Sequence, residues 1–161
     1  MTLTLWRSVA RAHVDGAFTG EGAARFPGRY NEPGVRAVYL ADCPAGCGLE
    51  LLASYAAPEA IATHLLLEVE VAAALVDLRT SRSLARYGVT RTDLVRPDDY
   101  ETPRRLGARL LRERRPGAII PAATVARAFN VVVYPDVWDR FVVHGRVPLA
   151  LDDRLLRLAS A

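Results

Sequence analysis

The sequence predicts an α+β fold, one domain carrying a mixed, mainly antiparallel sheet, and three observations point to it. The chain has 161 residues, enough for one domain with a core of its own. Strand-like and helix-like segments follow one another without the repeated βαβ unit of a doubly wound parallel sheet. Hydrophobic residues make up 51% and charged residues 24% of the chain, the balance of an ordinary globular protein. Residues 1–161 are therefore read as a single domain, with no internal repeat, low-complexity tract or long linker.

Each element has its own warrant. Leu3–Val9 reads as a short strand ending at Arg11. Residues 12–34 hold Gly16, Gly20, Gly22, Pro27, Gly28, Pro33 and Gly34, a density of turn formers that predicts a long irregular loop. Loops of that length in compact domains are commonly functional, and Phe18, Phe26 and Tyr30 argue against disorder. Ala37–Ala41 reads as a buried strand and Gly48–Tyr55 as a helix with Leu49, Leu52 and Ala53 on one side. Thr63–Val71 alternates: Leu65, Leu67, Val69 and Val71 on one face, His64, Leu66, Glu68 and Glu70 on the other, the pattern of a half-buried strand. Leu75–Leu78 is a further candidate strand. Ser83–Tyr87 reads as a short helix closed by Gly88, and Thr90 and Asp93 have capping-box spacing. Pro103–Arg115 reads as a helix with Leu106, Leu110 and Leu111 inward, stopped by Pro116-Gly117. Ala118–Ile120, Asn130–Tyr134 and Arg140–His144 read as strands, and Asp152–Leu158 as a terminal helix.

Composition excludes several classes. No apolar run reaches the roughly 18 residues that a membrane span needs. Met1–Arg7 lacks the basic and apolar regions of a signal peptide, so a cytoplasmic location and no membrane partner are expected. Cys43 and Cys47 are spaced C-x-x-x-C, unlike redox or zinc C-x-x-C pairs, and are expected to be small, partly buried thiols. The three histidines are isolated and no metal-ligand spacing occurs, so no metal site is expected. The net charge of +3 is too small to argue direct nucleic-acid binding. The basic residues are arginine rather than lysine, which supplies forked donors suited to phosphate. Arg104, Arg105, Arg109, Arg112, Arg114 and Arg115 are best read as a solvated or partner-binding helix face.

The chemistry-bearing residues cluster between Arg7 and Glu50. Arg25 and Arg29 lie on the glycine-rich loop and Arg7 on the first strand, where guanidinium forks could clamp a diphosphate through charge-assisted bonds. Solvated loop arginines are the plainer alternative. Gly20-x-Gly22 lacks the strand-then-helix context of a dinucleotide fingerprint, which excludes a Rossmann reading. Glu50 sits among Gly48, Leu49, Leu51 and Leu52, although charged residues are rarely buried unless paired. Either it faces a cleft and stabilises positive charge at an anomeric carbon, or it is an exposed or ion-paired helix residue. Tyr39 either stacks on a ligand ring or packs as a core tyrosine. Taken together, Gly28-Arg29-Tyr30-Asn31, Val38-Tyr39-Leu40-Ala41 and Glu50 suggest a site for a phosphorylated, ring-bearing ligand.

These pieces, with Gly20-Glu21-Gly22-Ala23-Ala24-Arg25, Ile120-Pro121-Ala122-Ala123 and Asn130-Val131-Val132-Val133-Tyr134-Pro135, resemble the RES-domain toxins of RES–Xre toxin–antitoxin systems. The resemblance spans most of the chain. It implies a fold related to ADP-ribosyltransferases and an activity that destroys NAD by splitting the nicotinamide–ribose bond, with water or phosphate as acceptor. By the same resemblance Arg29 holds the dinucleotide phosphates, Tyr39 lines the nicotinamide side and Glu50 stabilises the reacting ribose. Arg7, Arg25, Tyr30, Asn31 and Asn130 join them as substrate-binding positions. NAD is then substrate, with no permanent cofactor. The implied partner is a helical, Xre-like antitoxin that carries the DNA contact, and the implied assembly is a toxin homodimer within a larger complex. Transfer of ADP-ribose to a protein and a catalytically silent NAD- or antitoxin-binding module are the competing functions.

The family is named for Arg, Glu and Ser, and the chain departs from it at the third. Where a Pro-Ser-Ala segment is expected, the sequence reads Pro121-Ala122-Ala123, so Ala122 occupies the third catalytic position without a hydroxyl. Losing one positioning hydrogen bond costs roughly 10²–10³ in rate where it acts in the transition state. Three explanations stay open: an engineered change that tames a toxic protein (the preferred one), a naturally weakened member, or replacement by Thr124 two residues on.

Overall fold

A computed structural model describes residues 1–54 and 58–159 of the chain. Its framework is a seven-stranded sheet: β1 (Thr2–Ala10), β2 (Val38–Ala41), β3 (His64–Ala72), β4 (Val76–Asp77), β5 (Gly117–Pro121), β6 (Phe129–Val133) and β7 (Phe141–Pro148), in the order β4-β5-β6-β2-β1-β3-β7. Every neighbouring pair is antiparallel except β4–β5. The expected α+β class and mixed, mainly antiparallel sheet are both present.

Alternation along the strands divides the core between two faces. Leu5, Val38, Leu40, Leu67, Val69, Val131 and Val133 pack on one face, where Phe18 stacks on Phe141 with centroids 4.7 Å apart. Ala118, Ile120, Val132 and Tyr134 face the other way, against α4 (Ser81–Arg86), α5 (Arg91–Val95) and α6 (Glu101–Arg112) through Leu84, Leu94, Leu106 and Leu110. Further along, Ala41 and Leu66 meet α2 (Pro44–Ser54) and α3 (Pro58–Ile61) through Cys47, Leu51 and Ile61, with Leu156 of α7 (Asp153–Ala159) packed against them.

Several expectations are revised. Thr63–Val71 is more than half-buried, because α2 and α3 cover its second face at one end. His64 and Leu66 are buried there with Leu65 and Leu67, while Glu68 and Glu70 stay partly exposed. Residues 12–34 are not wholly irregular: a 3-10 helix spans Arg11–Gly16 and α1 spans Glu21–Arg25. The turn into α1 needs Gly20, at φ +75°, where a Cβ would press on the Ala37 nitrogen and Arg36 Cβ. The helix expected from Gly48 starts earlier, at Pro44, and its expected end at Tyr55 lies outside the described residues. α6 begins at Glu101, two residues before the expected Pro103, and ends at Arg112. The capping box forms as read: Thr90 Oγ1 accepts from the Asp93 N–H, and Asp93 Oδ2 accepts from the Thr90 N–H.

One junction positions the site. β1 and β3 stay in register over nine pairs, from Thr2↔Ala72 to Ala10↔His64. β1 and β2 share only Trp6↔Ala41. The sheet parts on either side of that pair, and a side chain takes the place of the missing ladder: Arg7 Nη1 donates to the Tyr39 carbonyl at 2.8 Å.

Candidate active site

A cleft of about 830 Å³ opens at this junction, within the size range of small-ligand sites. Its walls come from β1, β2, β5, β6, α2, the loop Phe26–Tyr30 and the segment between α5 and α6. Arg7, Arg29, Tyr30, Tyr39, Glu50 and Asn130 all line it. Chain segments far apart in sequence thus deliver six of the expected site residues to one cavity.

Glu50 lies on α2, next to Leu51, which anchors that helix in the core, and its carboxylate is held from across the cleft. Its Oε1 accepts from Thr124 Oγ1 at 2.9 Å and from Asn130 Nδ2 at 2.8 Å. Among the described residues no donor reaches Oε2. One carboxylate oxygen is thus fixed while the other has no donor. Glu50 thus lines the cleft, and among the described residues it forms no ion pair.

The arginines differ in how they are held. Arg29 Nη1 donates to the carbonyls of Arg96 at 2.6 Å and Asp99 at 2.9 Å, and the guanidinium lies 4.5 Å from the Tyr100 ring centroid. Among the described residues no acceptor engages its Nε or Nη2. Arg7 is half-buried as a residue, yet its Nε is enclosed with no partner. Burial lowers its pKa to about 10, which leaves it cationic at neutral pH. As a cation on the cleft wall, Arg7 gives the cleft a positive potential.

The loop of Tyr30 is set by a hydrogen-bond hub at Asn31. Asn31 Oδ1 accepts from the Gly28 N–H at 2.9 Å and from Tyr39 Oη at 2.7 Å, and Nδ2 donates to the carbonyls of Ala23 and Val35. Tyr39 Oη in turn accepts from the Tyr30 N–H at 2.9 Å. Gly28 is required because a Cβ there would sit 2.8 Å from the Tyr39 ring. Tyr39 therefore offers the cleft a ring whose hydroxyl is already engaged. Tyr30 Oη is buried without a partner, and burial raises the pKa of both phenols.

Three expected site residues stand apart from the cleft lining. Arg25 is 77% exposed and pairs with Glu21 at 3.9 Å, because α1 turns it outward. Asn31 is buried with its amide engaged in the loop just described. Ala122 is buried, and its N–H closes the β5–β6 turn on the Ala128 carbonyl at 3.1 Å. Thr124, from that same turn, reaches the cleft. Arg104 also departs from the solvated-face reading: Nε donates to the Gly28 carbonyl at 3.3 Å and the guanidinium lies 5.4 Å from the Tyr100 centroid. Tyr100 itself carried no local signal, since its role depends on contacts far away in sequence.

Cys47 lines the cleft, but burial pushes its thiol up to about 12, which removes it as a thiolate nucleophile at neutral pH. Cys43 and Cys47 are both free thiols. No helix among the described residues is long and apolar enough to cross a membrane.

The chain belongs to the RES domain family, whose model matches residues 4–152. Among solved structures, a chain of the crystal structure of the M. tuberculosis MbcT–MbcA toxin–antitoxin complex is similar to it. That chain aligns with TM-score 0.79 and 27% identity, covering 99% of this chain and 90% of its own. No curated protein matches the sequence.

Proposed function

We propose that the chain is the toxin of a toxin–antitoxin pair and that it depletes NAD by cleaving the nicotinamide–ribose bond. The observation that carries the reading is Glu50: a carboxylate in a cleft with two arginines, one oxygen anchored by two neutral donors and the other free. Membership of the RES family and similarity to a chain of a toxin–antitoxin complex support the toxin role.

The chemistry suits this set. In NAD the ribose C1′ is bonded to a pyridinium nitrogen. When the C1′–N bond breaks, its electron pair goes to that nitrogen and nicotinamide leaves neutral, so no general acid is needed. The positive charge moves to the ribose as an oxocarbenium ion. A fixed carboxylate beside C1′ stabilises that charge as it develops. Arg29 supplies cationic donors for the diphosphate, and Arg7 adds positive charge to the cleft wall. An oxygen of water or of inorganic phosphate then bonds to C1′, and water gives up its proton to solvent. The partner is a helical antitoxin covering the cleft.

NAD consumption and its products, followed with and without phosphate, test the proposal. Nicotinamide release is expected, with Glu50→Gln lowering kcat by roughly 10²–10³. Free ADP-ribose in both buffers identifies hydrolysis; a phosphorylated ADP-ribose formed only with phosphate identifies phosphorolysis. Intact NAD throughout would sink the proposal and favour a silent binding module, the reading that Ala122 suggests.

A further inference from the structure

The turn between β5 and β6 places two small residues in different roles. Ala122 is at its base, buried, and its backbone N–H holds the Ala128 carbonyl. Thr124 is further along, and its hydroxyl donates to Glu50 Oε1 at 2.9 Å, beside the 2.8 Å bond from Asn130 Nδ2. Three separate elements therefore fix one oxygen: α2 brings the carboxylate, β6 the amide and the turn the hydroxyl.

We infer that Thr124 is the hydroxyl-bearing positioning residue of this site, doing from two residues downstream what Ala122 cannot do. The inference rests on the NAD-cleavage reading and adds to it that this chain is a competent enzyme without a serine at position 122. A glutamate side chain has several rotatable bonds, and a single donor leaves its carboxylate free to swing. Two donors converging on Oε1 fix both its position and its plane, so Oε2 stays directed at one point. Threonine suits the task because branching at Cβ stiffens χ1 and presents the hydroxyl ready-aimed. Serine would supply the same donor with less restriction. Valine matches threonine in shape and supplies none.

The test compares the full chain with Thr124→Val, Thr124→Ser and Ala122→Ser, using NAD as the probe and reading kcat and KM separately. The expected result is an active parent and a Thr124→Val variant with an unchanged melting temperature. Its kcat should fall about 100-fold, the scale of a misplaced catalytic group, while KM moves little. Thr124→Ser should recover most of that loss, and Ala122→Ser should add nothing to the parent. An active parent whose Thr124→Val form keeps its kcat overturns the inference and leaves the cleavage reading intact. An inert parent rescued by Ala122→Ser also overturns it, because position 122 would then be the one that matters. If parent and Ala122→Ser are both inert, the cleavage reading fails and takes the inference with it. A Thr124→Val chain with a lowered melting temperature transfers the decision to Thr124→Ser and Ala122→Ser: a serine at 124 that loses as much kcat as valine overturns the inference, and one that retains it upholds the inference.

Discussion

Arg7 carries a cost that its neighbours on β1 do not. Burial lowers its pKa to about 10, and its Nε has no partner. A base whose pKa is depressed by folding destabilises the fold at every pH below that value, and the penalty is relieved only as pH rises through it. At neutral pH the penalty is therefore present in full. Replacing a buried ion pair by apolar side chains of similar volume is often neutral or stabilising; for Arg7 the gain from removing an unpaired charge is set against the lost bond to the Tyr39 carbonyl. Arg7→Met is expected to leave thermal stability unchanged or raised while NAD binding weakens, measured by a melt and a titration on the same sample. A marked fall in melting temperature would make Arg7 a structural strut between β1 and β2 instead.

At the scale of elements, α6 holds the Tyr30 loop in place. Tyr134 Oη donates to the Tyr30 carbonyl at 3.0 Å, and Gly107 on α6 lets that carbonyl approach so closely that a Cβ would overlap it. Gly107→Ala is expected to destabilise the fold by about 1–3 kcal/mol, the usual cost of overpacking, in a denaturant melt. The displaced loop should also raise KM for NAD, because Arg29 follows it. At α5, the Thr90–Asp93 capping box satisfies end groups of the helix, so Thr90→Ala should cost about 1 kcal/mol without altering NAD turnover. A kinetic effect there would mean that losing the cap shifts the far end of α5, where Val95 lines the cleft and the Arg96 carbonyl holds Arg29.

For the whole molecule, charge and ligand shift a stability that rests on the buried core. Hydrogen bonds hold several carboxyls below the usual range: Asp77 and Glu113 by the side chains of Arg79 and Arg109, Asp93 and Asp99 by backbone N–H groups of Thr90 and Thr102, and Asp152 by Arg154. A depressed folded pKa contributes stability above the unfolded value, and that contribution is lost as pH falls through the folded one. The melting temperature should thus hold steady down to about pH 5 and decline below about pH 4, where ordinary carboxyls begin to protonate. Calorimetry across that interval checks it. A ligand that binds only the folded chain stabilises it by about 2.7 kcal/mol at 100 times its Kd. NAD should accordingly raise the melting temperature of Glu50→Gln, in which turnover is slow enough for binding to be seen.

Much of this was legible in the sequence because it depends on neighbours along the chain. Alternation marked β3, Gly88 marked the end of α4, and Thr90-x-x-Asp93 marked a helix start, while Pro116-Gly117 placed the end of α6 three residues late. Arg29, Tyr39 and Glu50 stood out because their residue types are costly in an apolar setting without a task. Asn31 and Arg25 looked equivalent to Arg29 in the same glycine-rich stretch. The fold separates them, turning one inward as a buried hub and the other out to solvent. Thr124 was one of three explanations for the alanine at 122, and only the turn between β5 and β6, bringing it to Glu50 across 74 residues, distinguishes it. The sequence by itself determined the types of the longer elements, the antiparallel-rich class and the chemical character of the site, since periodicity, turn propensity and charge are local properties; the short helices at Arg11–Gly16, Glu21–Arg25 and Pro58–Ile61 it did not mark. The tertiary structure decided where the sheet parts, which oxygen of Glu50 is held and which arginine is left with an unpaired donor. Those depend on strand order and long-range register, which no local pattern encodes.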